Sequence, residues 1–195
     1  MRLLQASILD DGGDIVTQWQ FIHIPKNGGM SFRKAYAEYE RELLPTHNPA
    51  FMLSPTRRTV AVMRHPLDRL VSIYAFYHQD FNGFRDWVDS GRWKKWPTLE
   101  IDTEQGRQKV PYSAHQTFWL REETYLIRFE DYARGVALWA EEAGFPQVEW
   151  HHRNASKSRN GERWEELLRD DQARMLYRYY EDDFVRRRQA VPLLA

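Results

Sequence analysis

The sequence predicts an α/β fold with a mostly parallel central sheet, because short apolar strands alternate with amphipathic helices. Strands are predicted at residues 17–24, at Arg58–Met63 and at Thr124–Phe129. Each is followed by a segment in which apolar residues recur at helical spacing. A length of 195 residues fits one domain with a sizeable core, spanning residues 1–195.

The first two predicted helices follow the first two strands directly. The first runs from Gly29 to Leu44, with apolar residues at i, i+3, i+4, i+7 and i+11, and Pro45 ends it. The second begins at Pro66, a residue favoured in a first helical turn. Its apolar stripe consists of Leu67, Leu70, Val71 and Tyr74. A short helix over residues 82–90 follows it.

The second half of the chain is predicted to contain two further helical segments. One runs from about Glu130 to Ala143 and is stopped by Gly144. The other runs over residues 162–187, with a break near residues 170–171. Residues 91–112 are polar and weakly patterned, which predicts a long loop, and residues 146–161 predict a basic loop.

Composition limits the function classes. Acidic and basic residues balance at 28 each, so no global field favours nucleic acid or an acidic membrane. The chain has no cysteine, which excludes disulfides, thiolate metal sites and a cysteine nucleophile. We expect no signal peptide and no transmembrane segment, since no apolar run approaches the ~20 residues that span a bilayer. A cytoplasmic protein is the prediction, with its oligomeric state left open.

The turn Pro25-Lys26-Asn27-Gly28-Gly29-Met30-Ser31 lies between the first strand and the first helix. A helix start presents free N–H groups, glycines allow close approach of the main chain, and Lys26 adds a positive charge. These features indicate an anion cradle. The lysine precedes the glycines, so this is not a Walker A loop. A tight turn with a solvent-exposed lysine is the plainer alternative.

A second basic motif, Arg64-His65-Pro66-Leu67-Asp68-Arg69-Leu70-Val71-Ser72, follows the second strand. Arg69 and Ser72 are i, i+3 neighbours on one helix face, and Arg64 precedes the helix. A guanidinium and a hydroxyl at a helix start suit a phosphate dianion. A surface arginine with a satisfied serine is the alternative. Ligands of open α/β sheets bind beyond the carboxyl ends of strands, where both turns are predicted to lie.

Together the two motifs resemble those of the sulfotransferases that use 3′-phosphoadenosine 5′-phosphosulfate (PAPS). The stretch HIPKNGGMS is similar to their 5′-phosphosulfate loop, and RHPLDRLVSIY is similar to their 3′-phosphate motif. The likeness extends more weakly through YLIRFEDY and RNASK, and is nearest to carbohydrate sulfotransferases of the heparan 2-O type and their compact bacterial relatives. This chain departs from the usual loop at Asn27 and Met30.

The resemblance implies a P-loop-NTPase-like three-layer fold, with a central sheet flanked by helices. It implies transfer of a sulfuryl group from PAPS to an acceptor hydroxyl, plausibly of a saccharide, by in-line displacement and without a metal. The expected donor-binding residues are Lys26, Asn27, Gly28, Gly29, Met30, Ser31, Arg64 and Ser72, with Asn154, Ser156 and Lys157 from the late basic loop. Lys26 is also expected to stabilise the leaving oxygen. A solvated basic loop is the alternative for the last three.

A general base is expected among the seven histidines. His47, in the segment PTHNPAF before the second strand, is the candidate, because the resembling family places a base histidine there. A turn histidine is the alternative. We expect His23 to be structural, His65 to face outward and His115 to be able to line the acceptor side. The adjacent His151 and His152 lack nearby carboxylates, so no metal is assigned.

Two other functions remain open. A nucleotide kinase of P-loop type would require ATP and Mg²⁺, against which the absence of Gly-Lys-Ser/Thr argues. A non-catalytic nucleotide-binding module would keep the cradle and lack a base. Trp93 and Trp96, beside Lys94 and Lys95, either stack on a sugar or anchor the predicted loop, and the anchor is favoured.

Overall fold

The computed structural model describes residues 7–9, 15–17, 19–37, 48–78, 82–103, 106–148 and 163–191. A short antiparallel pair is formed by β1 (Ser7–Leu9) and β2 (Ile15–Thr17). The central sheet consists of β3 (Trp19–Ile22), β4 (Arg58–Met63) and β7 (Tyr125–Arg128). Its order is β3-β4-β7 and both pairings are parallel. The predicted α/β fold with a parallel central sheet is therefore confirmed.

One face of the sheet is covered by two helices. Successive side chains of a strand point to opposite faces, so the alternating residues Phe21, Val60, Val62 and Ile127 share a cluster. Helices α1 (Gly29–Ala35) and α4 (Tyr132–Ala143) pack on it. Trp139 of α4 is fully buried there. This layer brings the start of each helix to the carboxyl edge of the sheet.

The other face is covered by a hairpin and by 3₁₀ turns. Strands β5 (Thr98–Thr103) and β6 (Gly106–Pro111) pair antiparallel and bury Ile101 and Val110 against this face. The prediction of a long loop over residues 91–112 is wrong. Apolar and polar residues alternate over only a few positions in this hairpin. Its outer face carries charged residues such as Arg107, which pairs with Asp102, and these make the sequence of the segment polar.

Helix α2 (Pro66–His78) packs mainly against other helices. Its neighbours are α3 (Phe84–Asp89), α5 (Trp164–Leu167) and α6 (Asp170–Tyr179). Helix α7 (Glu181–Arg187) follows α6. The predicted stripe of α2 is confirmed, since Leu67, Leu70, Val71 and Tyr74 are all buried. No helix in the described ranges is long and apolar enough to cross a membrane.

Several segment predictions are also confirmed. The strand Arg58–Met63 has the predicted ends. Helix α4 ends at Ala143, as predicted, and Gly144 forms its left-handed C-cap with a φ of 74°. The helical segment predicted over residues 162–187 breaks between Leu167 and Asp170, close to the expected position. It breaks a second time at Tyr180. The first helix is an exception, since α1 ends at Ala35 with Tyr36 as its C-cap and does not continue through Tyr36 and Ala37 as predicted. Residues 38–44 of the predicted helix lie outside the described residues.

Candidate anion site at the carboxyl edge of the sheet

The ends of three parallel strands bring the basic turns together. The chain leaves β3 at Ile22 and reaches Lys26 four residues later, while Arg64 follows β4 directly. Nη1 of Arg64 donates a hydrogen bond to the main-chain oxygen of Lys26, at 3.3 Å. The guanidinium of Arg64 also lies over the ring of Phe129, 4.5 Å from its centroid, at the end of β7. The two motifs are therefore adjacent, as a shared ligand requires.

Lys26 is a half-buried cation in an unusual main-chain conformation. Its φ of 67° lies in the left-handed region, which is rare outside glycine and which clusters at functional sites. Nζ lies 3.9 Å from the centroid of the Phe76 ring. Burial lowers the pKa of Lys26 to about 8. No acidic residue in the described ranges forms an ion pair with it, so its charge is uncompensated there.

Arg64 is a second buried cation at the same edge of the sheet. Its side chain is 7% exposed, and Nε has no hydrogen-bond partner in the part of the chain that the structure describes. A buried donor without an acceptor is costly, which makes such atoms informative about ligands. No carboxylate among the described residues forms an ion pair with Arg64. Two partly desolvated cations thus meet at one edge of the sheet, and an anion would satisfy both.

Asn27 and Gln116 connect the two turns beneath this edge. Asn27 is 1% exposed, and Nδ2 donates both hydrogens, to the main-chain oxygen of Val62 at 2.7 Å and to Oε1 of Gln116 at 2.6 Å. The main-chain N–H of Asn27 donates to Ile24. Sequence reasoning expected Asn27 to donate to the donor nucleotide. Its donors are instead committed inside the protein, so it fixes the turn.

Gln116 is the residue that sequence reasoning missed. Besides Asn27, its side chain accepts from the main-chain N–H of Arg64 at 3.0 Å and donates to the main-chain oxygen of Arg64 at 2.9 Å. Its own N–H and that of Thr117 donate to the buried carboxylate of Asp183 in α7, at 2.8 and 2.9 Å. The relative position of the Lys26 and Arg64 turns therefore depends on one glutamine and on the C-terminal helix that holds it.

The two glycines of the turn are required by the protein's own packing. Gly28 has a φ of 80°, and a Cβ there would lie 3.0 Å from Phe129 and 3.2 Å from Tyr132. A Cβ on Gly29 would lie 1.9 Å from the ring of His23. His23 is buried, as expected for a structural histidine. Close contact with a ligand is thus not needed to explain the Gly-Gly pair.

The remaining residues of the two motifs have different environments. Met30 is 57% exposed, while Ser31 and Ser72 are half-buried. Arg69, expected on a polar face beside Ser72, is instead 1% exposed. Its guanidinium donates to three main-chain oxygens, those of Pro25, Ala114 and Tyr112. Arg69 thus supports the Lys26 turn from below.

Four predicted site residues lie outside the described residues. They are His47, the candidate base, and Asn154, Ser156 and Lys157 of the late basic loop. His151 and His152 lie outside as well. These assignments stay predictions.

Two other histidines pack against the C-terminal helices, and one of them differs from expectation. His65 does not face outward: its ring stacks on Trp164 at 5.6 Å and meets the edge of Phe184 at 5.1 Å, because α5 and α7 pack over the start of α2. Burial, together with Arg187, lowers the pKa of His65 to about 4. His115 packs on Tyr179 at 4.6 Å, against the C-terminal helices.

Trp93 acts as the anchor that sequence reasoning favoured. It is fully buried, and Nε1 donates to the main-chain oxygen of Val88. Trp96 is different, with 47% of its side chain exposed. Among the described residues no three His, Asp or Glu side chains are grouped as a metal ion would need.

The comparisons with known proteins are sparse. No protein-family model matches the chain, and no curated protein matches it. A sulfotransferase from Alicyclobacillus acidocaldarius resembles it in structure, with a TM-score of 0.38 and 13% sequence identity. The match covers 83% of this chain, which spans 60% of the length of that sulfotransferase. A TM-score this low does not establish a common fold.

Proposed function

We propose that the protein is a PAPS-dependent sulfotransferase that acts on a hydroxyl group, with a saccharide as the favoured acceptor. The observation that carries the proposal is the junction of Lys26 and Arg64. They come from the two motifs that resemble sulfotransferase donor loops, and they are linked by a hydrogen bond of 3.3 Å. Both are partly desolvated, and neither has an acidic ion-pair partner among the described residues.

The donor set fits a nucleotide with separate phosphate groups at its 5′ and 3′ positions. Lys26 is assigned to the 5′-phosphosulfate and Arg64 to the 3′-phosphate, because guanidinium donors match phosphate oxygens. The main-chain N–H groups of Gly28, Gly29 and Met30, with the hydroxyls of Ser31 and Ser72, are assigned to the remaining oxygens. Asn154, Ser156 and Lys157 are assigned to the 3′-phosphate side.

Each reacting residue has one task in this proposal. When bound, PAPS supplies a sulfuryl group, whose bond to the phosphate oxygen breaks as a bond to the acceptor oxygen forms. His47 takes the proton of the acceptor hydroxyl. The Lys26 ammonium stabilises the negative charge that grows on the phosphate side, where a preorganised cation in a poorly solvated site is most effective.

The test is a titration of the protein with 3′-phosphoadenosine 5′-phosphate (PAP), against ATP with Mg²⁺. Preferred binding of PAP supports the proposal, whereas preferred binding of ATP with Mg²⁺ supports a kinase-like enzyme. A labelled-sulfate transfer assay with PAPS over a panel of hydroxyl acceptors then separates an enzyme from a binding module. Binding of PAP without transfer to any acceptor would identify a non-catalytic module.

A further inference from the structure

A cluster of exposed aromatic side chains lies beside Lys26. Phe76 is 56% exposed and Trp96 is 47% exposed. Tyr77 joins them, with ring centroids 5.0 Å from Phe76 and 5.4 Å from Trp96. We call Phe76, Tyr77 and Trp96 the aromatic platform. Clustered exposed apolar side chains beside a polar site mark ligand-binding surfaces.

The aromatic platform contacts Lys26, the cation that is assigned to the phosphosulfate end of the donor. Nζ of Lys26 lies 3.9 Å from the centroid of the Phe76 ring. An acceptor oxygen must approach the transferred group, so the acceptor has to lie close to Lys26. Phe76 is the exposed apolar surface in direct contact with that ammonium. This contact, rather than exposure alone, connects the platform with the proposed reaction.

The platform is also held in place from behind. Tyr77 packs edge-on against Tyr112, at 5.6 Å and an interplanar angle of 80°, and Trp96 packs against His78 at 5.5 Å. Burial, together with a hydrogen bond to Tyr112, raises the pKa of the Tyr77 hydroxyl. The platform is therefore a supported surface of three uncharged rings, on which a ring of the acceptor can stack.

We infer that the aromatic platform is the acceptor subsite, and that it takes a hydroxyl-bearing ring with an apolar face. A pyranose and an aryl ring share this chemistry, since both stack on aromatic side chains. The inference rests on the proposed function and adds to it the residues that contact the acceptor and the shape of that acceptor.

Saturation-transfer difference NMR on the full chain with PAP present tests the inference. The ring probes are methyl β-D-glucopyranoside and 2-naphthol, and the ring-free control is 1,2-hexanediol. We expect at least one ring probe to receive more saturation than the diol. The variants Trp96→Ala and Phe76→Ala should bind this ring probe about threefold to tenfold more weakly, which is the effect of one lost aromatic contact. The probe that binds better distinguishes pyranose from aryl acceptors.

Leu138→Ala is the matched control, since Leu138 is 40% exposed on the separate helix α4. Its ring-probe affinity should equal that of the unmodified protein. The inference is overturned if neither ring probe exceeds the diol, or if both platform variants bind it as well as Leu138→Ala does. Trp96→Ala serves as the second variant because Phe76 also contacts Lys26.

A parallel PAP titration separates the two proposals. If the unmodified protein does not bind PAP, the proposed function fails, whatever the ring probes show. If it binds PAP and the platform variants leave ring binding unchanged, only the acceptor subsite is refuted.

Discussion

Arg64 and Lys26 are joined by a hydrogen bond from Nη1 of the arginine to the main-chain oxygen of the lysine. The bond links the turns that follow two neighbouring parallel strands, and it uses one of the five N–H donors of the guanidinium. Nε of Arg64 stays without a partner in the described ranges. The arginine can therefore hold the Lys26 turn and still offer donors to a bound phosphate.

Arg64→Ala should weaken PAP binding about 10- to 100-fold, because hydrogen bonds to charged groups contribute about 1.5–3 kcal/mol. Binding of 5′-AMP, which lacks the 3′-phosphate, should change far less. Isothermal titration with both nucleotides measures the difference. Arg58→Ala is the control, since Arg58 is exposed and pairs with Glu142 at the other end of the same strand. An equal loss for PAP and 5′-AMP would contradict the assignment to the 3′-phosphate.

The affinity for PAP should depend on the protonation of Lys26. Burial lowers the pKa of Lys26 to about 8, so the ammonium is present below that pH and is lost above it. A bound anion favours the charged form, so affinity should decline at or above about pH 8. Titrations between about pH 7 and pH 10 measure this, and Lys26→Arg, which stays charged, should flatten the profile. If the affinity of Lys26→Arg for PAP declines with pH in the same way, the decline is caused by another titrating group.

The same pKa makes a stability prediction of defined sign. Between about 8 and the ordinary value of 10.5 the unfolded chain binds more protons at Lys26 than the folded chain does. The unfolding free energy contributed by this residue should therefore rise with pH across that window. Urea unfolding at both ends of the window measures it, and Lys26→Met should remove this part of the pH dependence. An unchanged dependence in Lys26→Met would show that Lys26 is not its source.

Gln116→Ala should lower both the unfolding free energy and the affinity for PAP. It removes one of the two hydrogen bonds that the buried Asn27 amide donates, and it removes the side chain that pairs with the N–H and C=O of Arg64. A buried polar group that loses its partner costs about 1–3 kcal/mol. Gln172→Ala is the matched control, because Gln172 is equally buried and bonds to Arg85 and Asp89, away from the two turns. We expect the control to lose stability and to keep PAP affinity. If the two variants change PAP affinity alike, Gln116 does not position the site.

Gly29→Ala should destabilise the protein by about 1–3 kcal/mol, the usual range for overpacking. Its Cβ would lie 1.9 Å from the His23 ring. Because the clash is with one side chain, His23→Ala should recover part of the loss. Urea unfolding of the two single variants and the double variant gives the coupling energy. Additive effects would mean that the glycine is required for another reason.

His47→Ala should reduce sulfuryl-transfer turnover about 10²- to 10⁴-fold, the usual contribution of a positioned general base. Its affinity for PAP should be unchanged, because proton abstraction concerns the acceptor. Single-turnover assays with PAPS, together with a PAP titration, separate the two effects. Unchanged turnover would mean that His47 is not the base.

The fold and the main basic residues of the site were predictable from local patterns. Strand β4 and the stripe of α2 follow the periodicities of apolar residues, which depend only on neighbours in the sequence. The hairpin of β5 and β6 was missed because only Ile101 and Val110 of its residues are buried, so few positions show the alternation. Strand propensity is a weak guide for such a half-exposed hairpin, because it depends on burial and on the neighbours across the strand pair.

The supporting residues were not predictable, because their role is created by contacts distant in sequence. Gln116 lies 52 residues from Arg64, and no motif relates a glutamine to a main-chain group so far away. The buried position of Arg69 was missed because its acceptors are main-chain oxygens, which every sequence contains. The available signal for Gln116 was its place between the aromatic residues Tyr112 and Phe118, which predict a buried segment.

The carboxylate of Asp183 has a practical consequence for shortened forms of the protein. It receives the N–H groups of Gln116 and Thr117 from across the molecule. A fragment that stops before Glu181 would keep every residue assigned to the nucleotide, yet it would lack the tether that aligns them. Deletion mapping of donor binding would then place the active region at the C-terminus, although no nucleotide contact is assigned there.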